Sequence, residues 1–553
     1  MPGTERARRL TVMAGAAALA VGLVSCHGAT PAPTSSTSSM SAGGAPIRVN
    51  GLRPRQPLYP GEAQDPGSVQ LLQLLFRGLV RYDAHGKVVN EVARSITSTD
   101  NRTWRIRLKS GWKFTNGEPV TASSFVDAWN YTALVVNHQA NATFFAPIQG
   151  YADVHPARAG AAPRAKTMSG LEVTGDLSFT VRLREPDPSF PRRLGALAFS
   201  PLPTAAFKDK PAFGRHPVGN GPYQLSPERQ SSDGVVLQAN SSFKGRDAAR
   251  NSGLRITFYD KPSQAYQDLR DGALDVLDGI PSDRLGSFAK DLGDRAINQP
   301  AGSLESLSFP LDRPPWNGPH GAQLRRAISM AIDRRAITAE TLHGTATPAT
   351  DFSAPVVPGW SDTLCGQTCE LRPDPARRLW RAAGGLGGRL QIAYAADGGQ
   401  GPWVQAICAD LHEVLRVRCE GRPYRDAAAY RKAVNGGDLR TPFVAGWRMD
   451  YPGLENFLLP RFTVDGGADH TGYHSARFDA AVATARRAPD GGSRIEALRT
   501  AEEVLVQDLP TIPLWYPRAT GGYGPDVAGV VFGADGFPVY TDITRPSPDS
   551  AAG

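Results

Sequence analysis

Beyond its N-terminus the chain has no apolar run near the ~18 residues of a membrane-spanning helix, so no second hydrophobic segment ties its body into a bilayer. Signatures of catalysis are missing too: there is no P-loop, no H-E-x-x-H and no G-x-S-x-G. Ser241-x-x-Lys244 and Ser287-x-x-Lys290 match one penicillin-binding element. Neither Ser-Asp-Asn nor Lys-Thr-Gly accompanies them, so both serines read as loop residues. The ten histidines are scattered singly, and His412-Glu413 falls on the polar side of a helical pattern. Gly384 to Gly388 follows a helix instead of a strand, which makes it a helix stop and not a phosphate loop. The net charge is +8, but no lysine-rich run or aromatic-interleaved basic patch occurs. Interleaved charge of both signs describes a solvated surface and excludes a nucleic-acid partner. No metal or cofactor motif is found.

What is present begins at the N-terminus. Arg6, Arg8 and Arg9 precede an apolar stretch from Leu10 to Leu23, too short for a relaxed span, and Leu23-Val24-Ser25-Cys26 closes it. This order resembles a bacterial lipobox: 1–25 is a signal peptide and Cys26 the acylated mature N-terminus. An ordinary secretory signal is the alternative, and the fit of Arg8-Arg9 to twin-arginine export is poor. Residues 26–46 are mostly Thr, Ser, Pro, Gly and Ala, a composition that buries too little to fold, so they read as a flexible tether. The body is then extracytoplasmic, held to the cell membrane by lipid alone.

Cysteine is sparse, five in 553 residues. With Cys26 assigned to lipid, four remain in two local groups, Cys365 with Cys369 and Cys408 with Cys419. An even number in an oxidising compartment points to two disulfides. Cys408 lies on a helix with Ile407, Leu411, Val414 and Leu415 as its apolar positions, and Cys419 opens the next strand. A four-cysteine zinc site is the competing reading, and the lack of paired C-x-x-C spacing opposes it.

The length exceeds what one core holds, so two or three domains are expected. Trp104, Ile106 and Leu108 alternate with Arg105, Arg107 and Lys109, and Phe179, Val181 and Leu183 alternate with Thr180, Arg182 and Arg184. Leu254, Ile256 and Phe258 make a third strand, and Leu324, Ile328, Ala331 and Ile332 recur at helical spacing. Mixed periods of two and 3.6 argue for an α/β fold.

Six segments resemble, in order, the extracytoplasmic solute-binding proteins, family 5, of peptide-type ABC transporters. They are Leu75-Phe76-Arg77-Gly78-Leu79-Val80; Asn90 through Gly111-Trp112-Lys113-Phe114 to Trp129; Val218-Gly219-Asn220-Gly221-Pro222-Tyr223; Leu324 to Arg334; Gly446-Trp447 with Asp450-Tyr451; and Leu509-Pro510-Thr511-Ile512-Pro513-Leu514. The resemblance implies a class II periplasmic-binding-protein fold, two lobes with a hinge plus an inserted third domain. Mapped onto this chain, domain I is 47–80, 201–302 and 508–546, domain II is 81–200, and domain III is 303–507. It implies a monomeric binding lipoprotein without enzymatic activity that captures oligopeptides in the cleft and hands them to membrane permease subunits. Relatives on this scaffold carry dipeptides, haem, nickel complexes or oligosaccharides, or sense peptide signals, and fold alone does not choose among these.

Peptide capture without regard to sequence has a physical solution: strand-like pairing with the ligand backbone supplies affinity, and fixed charges at the termini set register. The resemblance places the ligand ammonium on Asp450, with Trp447 beside it and Gly446 and Tyr451 completing the motif. Arg313 falls near the position of a carboxylate-binding basic residue. Gln400 stands where relatives carry a histidine, and Val444 where they carry an arginine, so recognition of the far terminus is weakened or relocated. Gln64 and Asp65 lie where relatives offer backbone to the ligand, though Pro66 removes one donor, and Asn141 to Phe145 where they place an aromatic wall.

Overall fold

The structure is a computed structural model that describes residues 44–546 apart from 84, 85, 159 and 465; the signal peptide, Cys26 and most of the tether lie outside the described residues. Two large apolar cores organise the chain. The first gathers buried residues from Ile47 to Ala301 and from Ala519 to Ile543. The second gathers those from Leu304 to Tyr516. The backbone therefore passes between the cores twice, at Ala301–Ser303 and near Pro517.

Both crossings belong to one continuous sheet. The long strand Thr511–Tyr523 pairs at its start with Ser303–Ser308, Ile512 opposite Leu307. At its end it pairs with Val276–Asp278, Gly522 opposite Leu277, and with Ala296–Pro300. A Cβ at Gly521 would lie 2.4 Å from the Leu277 carbonyl oxygen, and one at Gly522 2.4 Å from Leu292, so glycine admits partners on both sides. Two adjacent strand connections with few other backbone ties form a hinge, about which two α/β lobes can close.

The strands expected from alternation are present. Thr103–Leu108 buries Trp104, Ile106 and Leu108 and exposes Arg105 and Arg107. It sits with Ser178–Arg182 in a separate four-stranded sheet. Helix Ala122–Ala133 lays Phe125 and Trp129 on that sheet, with Trp129 and Phe199 ring centroids 5.1 Å apart and the Trp129 Nε1–H donating to the Phe199 carbonyl at 3.1 Å. Gly253–Phe258 pairs in parallel with Ile47–Gly51 in the large sheet.

In the second lobe the Leu324–Arg334 motif is structural. Arg325 donates to the carbonyls of Leu509 (2.7 Å) and Trp316 (2.6 Å), and Arg334 to those of Pro513 and Ser329, both at 2.9 Å. Asp333 caps the next helical turn through the Ala336 N–H at 2.9 Å. Two buried guanidiniums thus tie this segment to the start of the hinge strand and the turn before it, their forked donors each satisfying two carbonyls. Both disulfides form: Cys365–Cys369 and Cys408–Cys419, with Cα separations of 5.6 and 4.9 Å. The latter links helix Gly401–Leu415 to strand Cys419–Tyr424.

A carboxyl pair lies in this core. Glu502 and Asp351 are both fully buried. Asp351 accepts from the Ser353 amide and hydroxyl and the Ser361 amide at 2.7–2.8 Å. Burial and the adjoining Asp351 charge push Glu502 well above the usual carboxyl range, so the fold favours its neutral form. A raised folded-state pKa gives stability that is complete at low pH and is lost as pH rises through that value. Thermal melts of the wild type should fall as pH rises above the unfolded glutamate value near ~4.3, and Glu502→Gln, which keeps a donor and removes the ionisation, should flatten that slope. An unchanged slope would show that Glu502 is not the titrating group.

Candidate ligand-binding site

A cavity of about 310 Å³ opens between the lobes. The first lobe contributes Gln64, Phe144, Arg184, Asp187 and Arg193, and the second contributes Trp447, Asp450, Glu455, Asn456 and Arg486. Trp447 comes from strand Phe443–Arg448, the floor strand, which pairs along one edge with Ser303–Ser308. On the other edge it meets strand Leu390–Ala395 only at Phe443. Tyr430 donates to the Val444 carbonyl at 2.5 Å, and beyond that point the strand has no neighbouring strand on that side among the described residues.

The chain leaves this strand through Met449 and Asp450 and enters helix Leu454–Phe462. Asn456, nearly fully buried in the first turn of that helix, holds the region together. Its Oδ1 accepts from the Asp450 amide at 2.9 Å and from Trp447 Nε1 at 3.2 Å, while its Nδ2 donates to Asp450 Oδ2 at 2.9 Å. One side chain thereby fixes the indole and one carboxylate oxygen, leaving the other oxygen of Asp450 without a side-chain partner among the described residues. Asp450 is exposed to the cavity yet surrounded by protein, and this desolvation pushes its pKa up against the Asn456 hydrogen bond.

Across the cavity stands a charge pair that joins the lobes. Asp187 lies 3.2 Å from Arg494 of the second lobe and 3.6 Å from Arg193 of the first. It also accepts from the Ser189 amide at 2.9 Å and hydroxyl at 2.7 Å. Burial would raise its pKa, but the two guanidiniums and Ser189 outweigh this and hold it below the ordinary value. Tyr451 reaches across as well: it follows Asp450 in the second lobe but is buried with the first core.

The structure brings Gln64, Trp447, Asp450 and Tyr451 to one cavity and places the other expected residues elsewhere. Asp65 caps helix Pro66–Leu75 through the Ser68 amide at 3.1 Å. Asn141 is buried, donating to the carbonyls of Pro60 and Ala63 at 3.0 Å, so it shapes the Gln64 loop while its neighbours Thr143 and Phe144 line the wall. Gly446 is exposed on the floor strand, beside the Glu305 carboxylate. Gln400 accepts from the Ala395 amide at 3.1 Å at the start of its own helix. Arg313 pairs with Asp312 at 2.6 Å in a second cavity of about 210 Å³.

Asn456, Asp187, Arg193 and Glu455 escaped the sequence reading. Asn456 had a usable signal, since it follows the Gly446–Tyr451 segment closely in a helix whose start Pro452-Gly453 marks. Asp187 had none. Its second-lobe partner lies far along the chain, and each looks alone like a solvated charge.

Two α/β lobes on a hinge strand, with a charged cavity between them, define a ligand-capturing receptor of the class II periplasmic-binding-protein fold. The chain belongs to the bacterial extracellular solute-binding proteins, family 5, whose middle region matches residues 87–469. The oligopeptide-binding protein OppA of Bacillus subtilis (strain 168) is 23% identical over 496 residues, covering 87% of this chain and 89% of that protein. The probable deoxycholate-binding periplasmic protein YgiS of Escherichia coli (strain K12) is 26% identical over 492 residues, covering 85% and 88%. The solved structure of the Escherichia coli murein tripeptide binding protein MppA matches with a TM-score of 0.77 at 21% identity, covering 90% of this chain and 98% of that one.

Proposed function

We propose that this solute-binding protein captures peptides by their free amino terminus and delivers them to the permease subunits of an ABC importer. The observation that carries the reading is the half-satisfied carboxylate of Asp450, held by Asn456 and open to the interlobe cavity. A ligand ammonium completes its hydrogen bonding and cancels the charge that desolvation disfavours. The floor strand offers an unpaired edge for backbone pairing, the part of recognition common to all peptides. In this reading 81–200 is an inserted domain on the first lobe, and closure about the hinge encloses the cargo.

The pH dependence of affinity tests it. Ammonium binding requires ionised Asp450, and its raised pKa moves the loss of affinity to a higher pH than an ordinary aspartate would show. Asp187, held low, stays ionised through the same range, so the interlobe pair persists and its contribution disappears only as pH falls below the unfolded value near ~4. Calorimetry with a free tripeptide should therefore show weakening from neutral to mildly acid pH, with the apo protein still folded by its melting curve. Affinity flat over that range would separate the binding step from Asp450.

Lipid at Cys26 is the remaining element of the proposal, supported by the apolar stretch and small residues before it. Cys26→Ala should be shed into the medium or stay unprocessed. A processed variant retained on membranes at wild-type levels would remove the lipid anchor from the account.

A further inference from the structure

We propose that Arg448 is a positioning residue for ligand capture: its side chain bridges the hinge to a first-lobe hairpin and ties the segment that carries Trp447 and Asp450 to the arrangement of the lobes. The inference rests on the peptide reading for what that segment binds, and adds what sets the segment in place. Arg448 ends the floor strand, opposite Ser303 at the first crossing between the cores. The next amide, of Met449, donates to the Gly302 carbonyl at 2.9 Å, and the Gly302 amide donates to the Ala534 carbonyl at 2.7 Å. Gly302 is therefore clasped by one backbone group from each lobe. Ala534 belongs to a hairpin in which Phe532 bridges Pro538 and the Gly533 amide donates to the Phe537 carbonyl at 2.8 Å. The hairpin is rooted in the first core through Phe532 and Tyr540, while its Ala534 packs on the second.

The Arg448 guanidinium lies 4.7 Å from the centre of the Phe537 ring, a cation–π contact between the lobes. Two first-lobe carboxyls stand within its electrostatic reach, Asp535 at the hairpin tip and Asp278 at the end of its strand. Burial pushes Asp278 up to about 7 and raises Asp535, and the Arg448 charge opposes the rise at both. A ring and two carboxyls of one lobe thus hold a side chain whose backbone moves with the other. The cluster also reaches the opposite wall of the cavity. Gln70 donates to Asp278 Oδ2 at 3.3 Å and to the Tyr540 hydroxyl at 2.9 Å. It lies on helix Pro66–Leu75, whose cap Asp65 follows Gln64 of the cavity wall. Gln64 from one lobe and Asp450 from the other are therefore joined to one set of contacts at the hinge. Opening the lobes separates Arg448 from Phe537, so the contact favours the arrangement in which both walls face the ligand.

The test compares the mature wild type with Arg448→Gln, Arg448→Lys, Phe537→Leu and the Arg448→Gln/Phe537→Leu double variant. Small-angle scattering is recorded without ligand and with a saturating pool of free tripeptides, and calorimetry gives the affinities. Arg448→Gln should melt close to wild type, yet expand the ligand-free particle and bind free tripeptides roughly 2- to 30-fold more weakly, the range of a cation–π contact between its exposed and desolvated limits. Arg448→Lys, which keeps a cation over the ring, should recover most of the compaction. Phe537→Leu should weaken binding too, and the double variant should lose no more than Arg448→Gln alone, because both changes remove one contact. The ratio of free to N-acetylated affinity should stay at its wild-type value throughout. Wild-type compaction and affinity in Arg448→Gln overturn the proposal. So do additive losses in the double variant, which make the two residues independent, and a collapsed ratio, which places Arg448 at the ligand ammonium. If wild type binds no peptide, the peptide reading falls and the ligand-free scattering alone decides this one: an expanded Arg448→Gln particle supports the hinge contact, and an unchanged one overturns it.

Discussion

Asp450→Asn should weaken binding of a free peptide by roughly 30- to 4,000-fold, the range that corresponds to breaking a desolvated charge pair at about 2–5 kcal/mol. The variant leaves the ligand ammonium in a closed cavity without its counter-charge, and that unmet desolvation supplies most of the loss. Stability in the absence of ligand should move little and, if anything, upward. The fold already disfavours the ionised form of Asp450, as its raised pKa records, so neutralising it removes an unfavourable term. Asn456 can still hold an amide at this position through the hydrogen bonds it makes to the Asp450 backbone and side chain. N-acetylated peptide should bind wild type poorly and lose little more in the variant. The four combinations close a double-mutant cycle, whose coupling isolates the ammonium–carboxylate pair from any general disturbance of the cavity.

Asp187→Asn should have the second-largest effect, through a different route. Its carboxylate neutralises Arg494 across the lobe interface and Arg193 beside it; Asp187 is 7% exposed and Arg494 4%. Removing one member of a buried pair costs about 3–5 kcal/mol because the remaining charges stay desolvated. Because Arg494 and Asp187 belong to different lobes, part of that cost falls on closure. The variant should melt below wild type and bind free peptide more weakly, with small-angle scattering showing incomplete compaction on ligand addition. The ratio of free to acetylated affinity should stay at its wild-type value, because Asp187 is assigned to closure and not to the ammonium. A collapsed ratio would assign Asp187 to the ligand itself.

These two residues differ in how readable they are. Asp450 sits in a contiguous segment, Gly446 to Tyr451, whose strand-to-helix geometry is local and therefore carried by neighbouring residues. The strands Thr103–Leu108 and Ser178–Arg182 and the helix Gly401–Leu415 are legible for the same reason: their buried faces follow periods of two and 3.6 within one window. Cys408–Cys419 joins adjacent elements and is equally local. Asp187 and Arg494 meet only because the chain crosses the hinge, and no local pattern encodes that. Asp65 shows a signal that was present and outweighed. Asp-Pro-Gly-Ser is a cap followed by proline at the first helical position, and that is how residue 65 is used. Asn141 is near the cavity, as its position in the chain suggested, but its amide is taken up by the carbonyls of Pro60 and Ala63.

Competition between two ligands tests the central claim most directly. The mature protein is incubated with an equimolar mixture of free and N-acetylated forms of one short-peptide pool, and the complexes are weighed by native mass spectrometry. Capture by Asp450 predicts that the retained peptides carry free amino termini and that the acetylated forms stay in solution. Equal retention of the two forms, or retention of neither, would contradict the account.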